Sequence, residues 1–272
     1  TFDNASGALS FFNMSEHNTD SRERIIVDAN LFLGNSSKNG GAIEFFNSFN
    51  FSNTNNLFLS NSAELGGAVR LAQSSSKTLT ENTATDTIKP VIANNTFLNN
   101  ASELVGGAIS NAFRSVNVIT FNNLFWANDA LEGKDVHNDN DTMMVVAYSL
   151  IDEESIHGAW EGSNNFNLEP KLHEDSLHID TESPCFNTGV ESFQMHGYSF
   201  HCPLDDIDGE GRPMHGGVDV GADEYLLVGE LERAIQEREN DLTLYPNPVR
   251  FLTRIEFSVE RKQPVSIMIH SS

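Results

Sequence analysis

The apolar residues of this chain come in short runs that Asn, Ser and Gly interrupt. Mostly apolar runs occupy 31–33, 42–46 and 57–59, and each is too short for an amphipathic helix, which needs apolar positions at i, i+3, i+4 and i+7 over about ten residues or more. A Gly-Gly pair precedes several of these runs and would cost a helix about 1 kcal/mol per glycine. The pattern therefore predicts short β-strands separated by turns.

The same line of sequence recurs along the chain. "NLFLGNSSKNGGAI" begins at Asn30 and "NLFLSNSAELGGAV" begins at Asn56, and further copies start at Asn95 and Asn123, with a worn copy near Ser6. Self-similarity at a period in the twenties is typical of solenoids. Short strands with one coil per period predict an all-β protein, a parallel β-helix.

Stacked coils explain which residues the repeat keeps, because each residue lies about 4.8 Å from its equivalent in the next coil. One internal stack is predicted for the aromatic positions Phe32, Phe58, Phe97 and Phe125. A second stack, bonded through side-chain amides along the axis, is predicted for Asn35, Asn61, Asn100 and Asn128. The Gly-Gly pairs at 40–41, 66–67 and 106–107 predict a corner that needs positive φ or close backbone approach.

The charged positions of the repeat strands are few. Glu44 lies above Arg70 in the stacked register, which predicts a cross-coil ion pair worth at most about 1 kcal/mol if exposed. A solvated face is the favoured interpretation of these charges.

One half of each coil has a fixed length and the other half carries insertions. The polar insertions near 16–24 and 74–89 must leave the solenoid from the same side, because the coils between them are in register. Insertions gathered on one face often mark a binding face. Neutral loop drift at an exposed edge is an equally good explanation.

The Phe-Leu-x-Asn and Gly-Gly-Ala-Ile motifs of residues 1–180 resemble polymorphic outer-membrane protein repeats and other right-handed parallel β-helix, pectin-lyase-like proteins. The segment 181–228 is similar to the C-terminal cap of bacterial surface β-helix proteins of the choice-of-anchor type. The resemblance rests on 183–185, 187–189, the turn from Asp208 to Pro213 and 219–224; Phe186-Asn187 departs from the family's usual Ile-Asp. It implies an end cap that hides the last open strands.

The segment "LYPNPVRFLTRIEFSVERKQPVSIMI" looks like the start of a type A sorting domain of type IX secretion. The resemblance implies a bacterial protein exported to the extracellular space or the outer-membrane surface, with the type IX machinery as a partner. The fold class is then a right-handed parallel β-helix solenoid followed by a short, incomplete β-sandwich sorting domain. The expected divisions are rungs over 1–180, cap over 181–228, a linker helix over 229–240 and a truncated sorting domain over 241–272. Because the chain opens on Thr1 and ends inside this motif, we expect a fragment or processed form.

Charge and hydropathy exclude several partners. The chain has 16 basic and 39 acidic residues, a net charge of −23, which disfavours nucleic acid and anionic membrane surfaces. No apolar run approaches the roughly 18 residues of a transmembrane segment. Cys185 and Cys202 predict a disulfide, worth about 3 kcal/mol, and two unrelated thiols are the alternative.

Candidate chemistry is sparse. "HEDSLH" (173–178) has one residue too many for the H-E-x-x-H zinc motif, so no metal site is expected there. Ca²⁺ is a possible cofactor at two acidic loops, "KDVHNDND" with Asp135, Asp139 and Asp141, and "DDIDGEGR" with Asp206 and Asp208, although a plain turn is favoured at both. No cofactor and no catalytic residue is assigned.

Three functional hypotheses remain. The favoured one is a secreted or cell-surface scaffold, an adhesin-like, non-catalytic protein that binds an extracellular polysaccharide or a host or cell-surface ligand. The alternative is a polysaccharide lyase or glycoside hydrolase, which needs a base with cation ligands or two carboxylates about 5–10 Å apart. The third is a structural stalk. Fold alone does not decide between them.

Overall fold

The structure is a computed structural model, and it describes residues 7–12, 24–73, 90–113, 117–139, 143–173, 178–225, 242–245 and 254–257. These residues are nearly all β, with a single 3-10 turn, Glu153–Ser155, as the only helical element among them. The predicted linker helix at 229–240 lies outside the described residues. For residues 242–245 and 254–257 only the backbone is described.

Four sheets of parallel strands run side by side along the chain. Sheet 1 contains Leu9–Phe12 (β1), Ile43–Phe46 (β5), Val69–Ala72 (β9), Ile109–Ala112 (β13), Val136–Asn138 (β16) and Ile156–Gly158 (β18). Sheet 2 contains Ile25–Asp28 (β2), Phe51–Thr54 (β6), Val91–Ala93 (β10), Ile119–Phe121 (β14), Met144–Ala147 (β17) and Trp160–Glu161 (β19). Sheet 3 contains Leu31–Leu33 (β3), Leu57–Leu59 (β7), Thr96–Leu98 (β11) and Leu124–Trp126 (β15). Sheet 4 contains Ser36–Asn39 (β4), Ser62–Leu65 (β8) and Ala101–Val105 (β12).

Up to β15 the chain visits the four sheets in a repeating order, from sheet 1 to sheet 2, sheet 3, sheet 4 and back to sheet 1, and the last coils continue sheets 3 and 4 only by isolated bridges. Each visit adds one strand next to the strand of the previous coil, and the pairing is parallel in all four sheets. The prediction of stacked parallel strands is thus confirmed, and the arrangement is consistent with an all-β solenoid.

The interior holds a column of aromatic rings on sheet 3. Phe32, Phe58, Phe97 and Phe125 are register partners, and successive ring centroids lie 4.9, 4.7 and 4.9 Å apart with nearly parallel planes. All four side chains are buried. The centroid spacing equals the strand spacing, so the backbone pairing itself sets the ring contact.

The corners on both sides of sheet 3 consist of two residues with a fixed pattern. The first residue has a positive φ, between 49° and 64°, and it is Gly, Asn, Ser, Ala or Tyr. The second residue is Asn in the complete copies, and its side chain enters the solenoid. The left-handed conformation turns the chain within one residue, which brings the next strand into the adjacent sheet.

The inward Asn side chains form two ladders, one at each of these corners. In the ladder between sheets 3 and 4, the backbone N–H and the Nδ2 of Asn61 both donate to Oδ1 of Asn100, at 3.0 Å each. Asn100 donates in the same way to Asn128, and Asn35 donates to Asn61. The Nδ2 of Asn100 also donates to the carbonyl of Phe58, so each amide satisfies groups of the coils on both sides.

The second ladder, between sheets 2 and 3, was not predicted. It contains Asn30, Asn56, Asn95 and Asn123, bonded by the same pattern and continued by Ser149. Asn56, Asn95 and Asn123 are fully buried. Its members are the first residue of every repeat copy, so the signal was present in the sequence.

The corner between sheets 4 and 1 requires glycine for two reasons. Gly66 has φ +70°, which L side chains rarely adopt. At Gly67 the backbone of the next coil approaches so closely that a Cβ would lie 2.0 Å from the carbonyl oxygen of Gly107. The first glycine of the pair therefore needs positive φ and the second needs close backbone approach, so both predicted reasons apply.

The segment 178–225 lies against the side of sheets 2 and 3. The amide of Ala222 donates to Oγ1 of Thr96 (3.0 Å), and Nδ2 of Asn55 donates to the carbonyl of Asp205 (2.8 Å). Within this segment Ser192–Met195 (β20) and Tyr198–His201 (β21) form an antiparallel hairpin whose Phe200 packs on the outer side of sheet 2. The expected end cap over 181–228 stays a prediction, since the described contacts run sideways along several coils; below, the cap denotes residues 178–225.

Two short strands follow near the C-terminus. Leu242–Tyr245 (β22) and Arg254–Phe257 (β23) pair antiparallel. They fall within the segment predicted as the start of a sorting domain, which stays a prediction.

Replacing a mid-ladder Asn is expected to destabilise the protein more than replacing one at the ladder's end. Asn100→Ala leaves the buried N–H and Nδ2 of Asn61 without their acceptor, and unsatisfied buried donors cost about 1–3 kcal/mol each, so the free energy of unfolding should fall by roughly 2–5 kcal/mol. The half-buried Asn35 only donates along the ladder, so Asn35→Ala should cost about 1 kcal/mol. Urea unfolding followed by circular dichroism measures both. Equal losses would contradict the ladder's proposed role.

Candidate functional site: the polar row on sheet 1

The outward side of sheet 1 presents a row of polar side chains. Each strand of sheet 1 contributes one residue at the same register position, and in β5, β9, β13 and β16 both flanking residues are buried. We call this set the polar row. Its members are Ser10, Glu44, Arg70, Ser110, His137 and His157.

Glu44 and Arg70 form the ion pair that the repeat predicted. Nη1 of Arg70 lies 3.0 Å from Oε1 of Glu44, and the side chains are 19% and 4% exposed, respectively. Burial raises the pKa of the Glu44 carboxyl, while the charge and hydrogen bond of Arg70 act in the opposite direction. The prediction of a cross-coil pair is confirmed, but the carboxylate is buried rather than solvated.

His137 and His157 stack at the other end of the polar row. Their ring centroids lie 4.9 Å apart with planes 1° from parallel. The carboxylate of Glu132, in the corner before β16, faces both rings, with Oε2 3.6 Å from Nε2 of His137 and 3.7 Å from Nε2 of His157. Burial, and next the neighbouring His157, lower the pKa of His137.

The connections of variable length all leave from one edge of the polar row. Every connection from sheet 1 to sheet 2 starts at the end of a row-bearing strand. Their lengths differ widely; the connections span 13–24, 47–50, 73–90, 113–118, 139–143 and the single residue 159. The described strands on both sides of the two long insertions end and begin at this edge, while the insertions themselves, apart from Arg24, lie outside the described part of the chain.

The outer sides of sheets 2 and 3 are partly covered by the 178–225 segment. Leu124 of β15 packs with Cys185 and Val220, and Val145 of β17 packs in the cluster that includes Phe200. Sheet 4, by contrast, carries an exposed pair, with Nζ of Lys38 3.9 Å from Oε2 of Glu64. The polar row thus lies on a side of the solenoid that the cap does not contact through these clusters.

The predicted disulfide is not formed. Cys185 and Cys202 are both free thiols, and they belong to different apolar clusters. Cys185 is buried beside Leu124 and Val220, and burial raises the pKa of its thiol to about 12. Cys202 is only partly buried at the margin of the cluster that contains Phe200. Sequence separation suggested a loop that a disulfide could close, but the packing places the two thiols in different environments.

The two acidic loops considered for Ca²⁺ use their carboxylates for internal hydrogen bonds. Asp135 is buried and accepts from Nδ2 of Asn128 and from Oγ of Ser155, while Asp139 is exposed and Asp141 lies outside the described residues. Asp206 accepts from the amides of Asp208, Glu210 and Glu224. These oxygens therefore stabilise turns.

The cap is built around a buried ion pair. The side chains of Arg212 and Glu224 are both 0% exposed, with Nη1 2.7 Å from Oε2. Nη2 of Arg212 donates to the carbonyls of Gly221 and Ala222. Breaking such a pair leaves a buried charge and typically costs 3–5 kcal/mol, so these residues hold the cap's shape.

Two further buried carboxyls of the cap have raised pKa values. Burial raises the pKa of Asp223 to about 8, although its Oδ2 accepts from the amide of Ile179. Burial and the neighbouring Asp206 raise the pKa of Glu210 to about 7. These groups connect cap stability to pH.

No protein-family model, curated protein or solved structure matches this chain. The resemblances described from the sequence therefore stay predictions. Within the described residues, no helix has the length and apolar character that a membrane crossing requires.

Raising the pH from about 6 to about 8.5 is expected to lower the thermal midpoint. Between the ordinary carboxyl pKa near 4 and the raised values near 7 and 8, the folded cap holds protons that the unfolded chain releases. The free energy of unfolding that this protonation contributes is therefore present at low pH and is lost as the pH rises through about 8. Calorimetry at several pH values measures the fall.

The matched variant for this prediction is Asp223→Asn. Its amide keeps an acceptor for Ile179 and cannot ionise, so the midpoint of the variant should fall less over the same pH range. An identical pH dependence in the variant and the parent protein would show that Asp223 is not the titrating group.

Proposed function

We propose that this chain is the rod-like part of a secreted or cell-surface protein that binds an extracellular ligand, polysaccharide being the favoured class. The observation that supports it most directly is the position of the polar row. The row runs along the outside of sheet 1, beside the edge from which the variable connections leave. Connections of variable length beside side chains that a rigid sheet holds in place are a common arrangement for a binding face.

The spacing along the row favours binding over glycoside hydrolysis. A hydrolase needs two carboxyls about 5–10 Å apart. Glu44 is on β5 and Glu132 is in the corner before β16, three strand spacings away, which amounts to about 14 Å. Glu44 is also engaged by Arg70. Catalysis by a lyase or hydrolase is kept as the alternative, because the polar row offers acidic, basic and imidazole groups on one side.

The finer assignments rest on the sequence resemblances together with the all-β stacking. We infer a right-handed β-helix of the pectin-lyase-like kind, a choice-of-anchor type cap over the C-terminal coils and a sorting domain for type IX secretion from residue 241 onward. Such a protein would be exported by a bacterium and released or held at the outer-membrane surface. The periodic Phe and Asn positions support the β-helix, and the "YPNP" motif supports the export route.

Binding is tested by affinity electrophoresis of the chain through gels that contain neutral or acidic polysaccharides. We expect at least one polysaccharide to retard the chain, and Arg70→Gln to reduce the retardation, because Arg70 is the permanent positive charge of the polar row. The control is Lys38→Gln, which removes an exposed positive charge from sheet 4 and should leave retardation unchanged. Thermal melts of both variants verify that they are folded.

The same incubations separate the alternatives. New reducing ends, or ultraviolet absorbance from unsaturated products, would support the enzyme and overturn the non-catalytic assignment. If no polysaccharide retards the chain, a protein ligand or a structural stalk is favoured. If Lys38→Gln reduces the retardation as much as Arg70→Gln does, the polar row is not the binding face.

A further inference from the structure

We propose that Glu132, His137 and His157 form a binding site for a divalent transition-metal ion of the Zn²⁺ class. The three side chains come from a corner and two neighbouring strands of sheet 1, and their ligand atoms all lie within 4.8 Å of one another. The proposal does not depend on the ligand-binding role, since it concerns the inorganic ion alone.

The distances fit shared coordination better than direct hydrogen bonds. The carboxylate oxygen of Glu132 lies 3.6 and 3.7 Å from the two Nε2 atoms, beyond the usual 3.2 Å limit of an N–H···O bond. Ligand atoms around a tetrahedral Zn²⁺ with bonds of about 2.0–2.1 Å lie about 3.3–3.4 Å apart. The two Oε2–Nε2 distances are therefore only a few tenths of an ångström longer than the ligand–ligand distances around a bound Zn²⁺.

The two imidazoles must also converge, and the parallel strands make this a small movement. Register pairing places His137 directly beside His157, with parallel rings one strand spacing apart. His157 is 54% exposed and Glu132 is 58% exposed, so both can tilt toward a shared ion, while His137, at 9%, is held in place. One fixed ligand and two adjustable ligands are sufficient to close a three-ligand site.

The protonation state of the buried ligand is also suitable. A metal-binding imidazole must be neutral. Burial, and next the neighbouring His157, lower the pKa of His137, which favours the neutral ring, whereas Asp139 and Glu132 act in the opposite direction.

The ligand set indicates the class of ion and the strength of binding. Two imidazoles and one carboxylate suit Zn²⁺ and its neighbours, whereas Ca²⁺ and Mg²⁺ prefer oxygen ligands. Three protein ligands at a half-exposed position leave the fourth position to water. Nδ1 of His137 is buried without a hydrogen-bond partner, so no second interaction orients its ring, and this deficit weakens binding by about 10–100-fold compared with a fully supported site.

A second group of potential ligands in the cap does not support the same inference. Nε2 of His178 lies 3.0 Å from Oδ2 of Asp208 in direct contact, and Oδ2 of Asp223 accepts from the amide of Ile179. In this second group, the ligand atoms are therefore already engaged in contacts within the cap.

The test is titration of Zn²⁺ alone into the untagged, chelator-treated chain by isothermal calorimetry. We expect a single equivalent to bind, and His157→Ala to weaken that binding by at least about tenfold, because one of three ligands is lost. The matched control is His196→Ala, which removes another half-exposed histidine whose Nε2 lies 2.9 Å from Oε1 of Glu161 with no second imidazole in that pair. Its affinity for Zn²⁺ should equal that of the parent chain.

Thermal melts provide a second measurement, since an ion that binds only the folded state raises the midpoint. Zn²⁺ should raise the midpoint of the parent chain and of His196→Ala and should have little effect on His157→Ala. If His157→Ala is poorly folded without metal, Glu132→Gln serves instead, as its side chain is more exposed still. Absence of a stoichiometric Zn²⁺ site in the parent chain, or full affinity in both His157→Ala and Glu132→Gln, would overturn the proposal.

Discussion

The whole structure depends on one constraint, which is that polar backbone groups at the corners of a stacked coil must find partners inside the protein. Strands, and the first residue of each corner, donate their N–H groups to backbone carbonyls of the next coil, but the N–H of the second corner residue donates to a side chain instead. Here a side-chain amide from each coil accepts the corner N–H of the neighbouring coil and donates to a carbonyl of that coil, as Asn95 does for Asn56 and Asn53. The Asn ladders therefore fix the register of the coils, and the Phe column follows from that register.

This constraint divides the chain into what must repeat and what is free to vary. Inward positions repeat, because a different side chain would disturb the coils above and below it. Outward positions on sheet 1 vary along the solenoid, from Glu44 and Arg70 to the imidazoles of His137 and His157. Specific chemistry can accumulate on the polar row without cost to the fold, which is why both the ligand-binding proposal and the metal-site proposal are located there.

Much of the fold was predictable because it is periodic. Phe58 and Asn61 recur at constant offsets, so the position of their columns followed from counting. The Asn30–Asn56 ladder has the same periodicity, but an Asn at the start of each copy does not by itself show whether its side chain points into the solenoid. The sequence does not predict the positive φ of Ala127 or Tyr148, since neither residue type favours that conformation.

The candidate site was harder to predict, since it combines residues from coils in which the repeat has degraded. His137 and His157 are twenty residues apart, outside the period of the other copies, and only the pairing of β16 with β18 shows that they are neighbours. The disulfide prediction was wrong for a related reason. Cys185 and Cys202 are close in sequence, but each packs into a different apolar cluster when the cap lies along the side of the solenoid.

Native-state hydrogen exchange of the corner amides tests the central claim most directly. The N–H groups of Asn56, Asn95 and Asn123 lie in two-residue turns, yet each donates to a buried acceptor of the next coil. The account predicts protection comparable to that of the central strand residues Phe58 and Phe97, with the exposed hairpin residue Gly197 exchanging fast in the same sample. Exchange of the three Asn amides at the rate of Gly197 would contradict it.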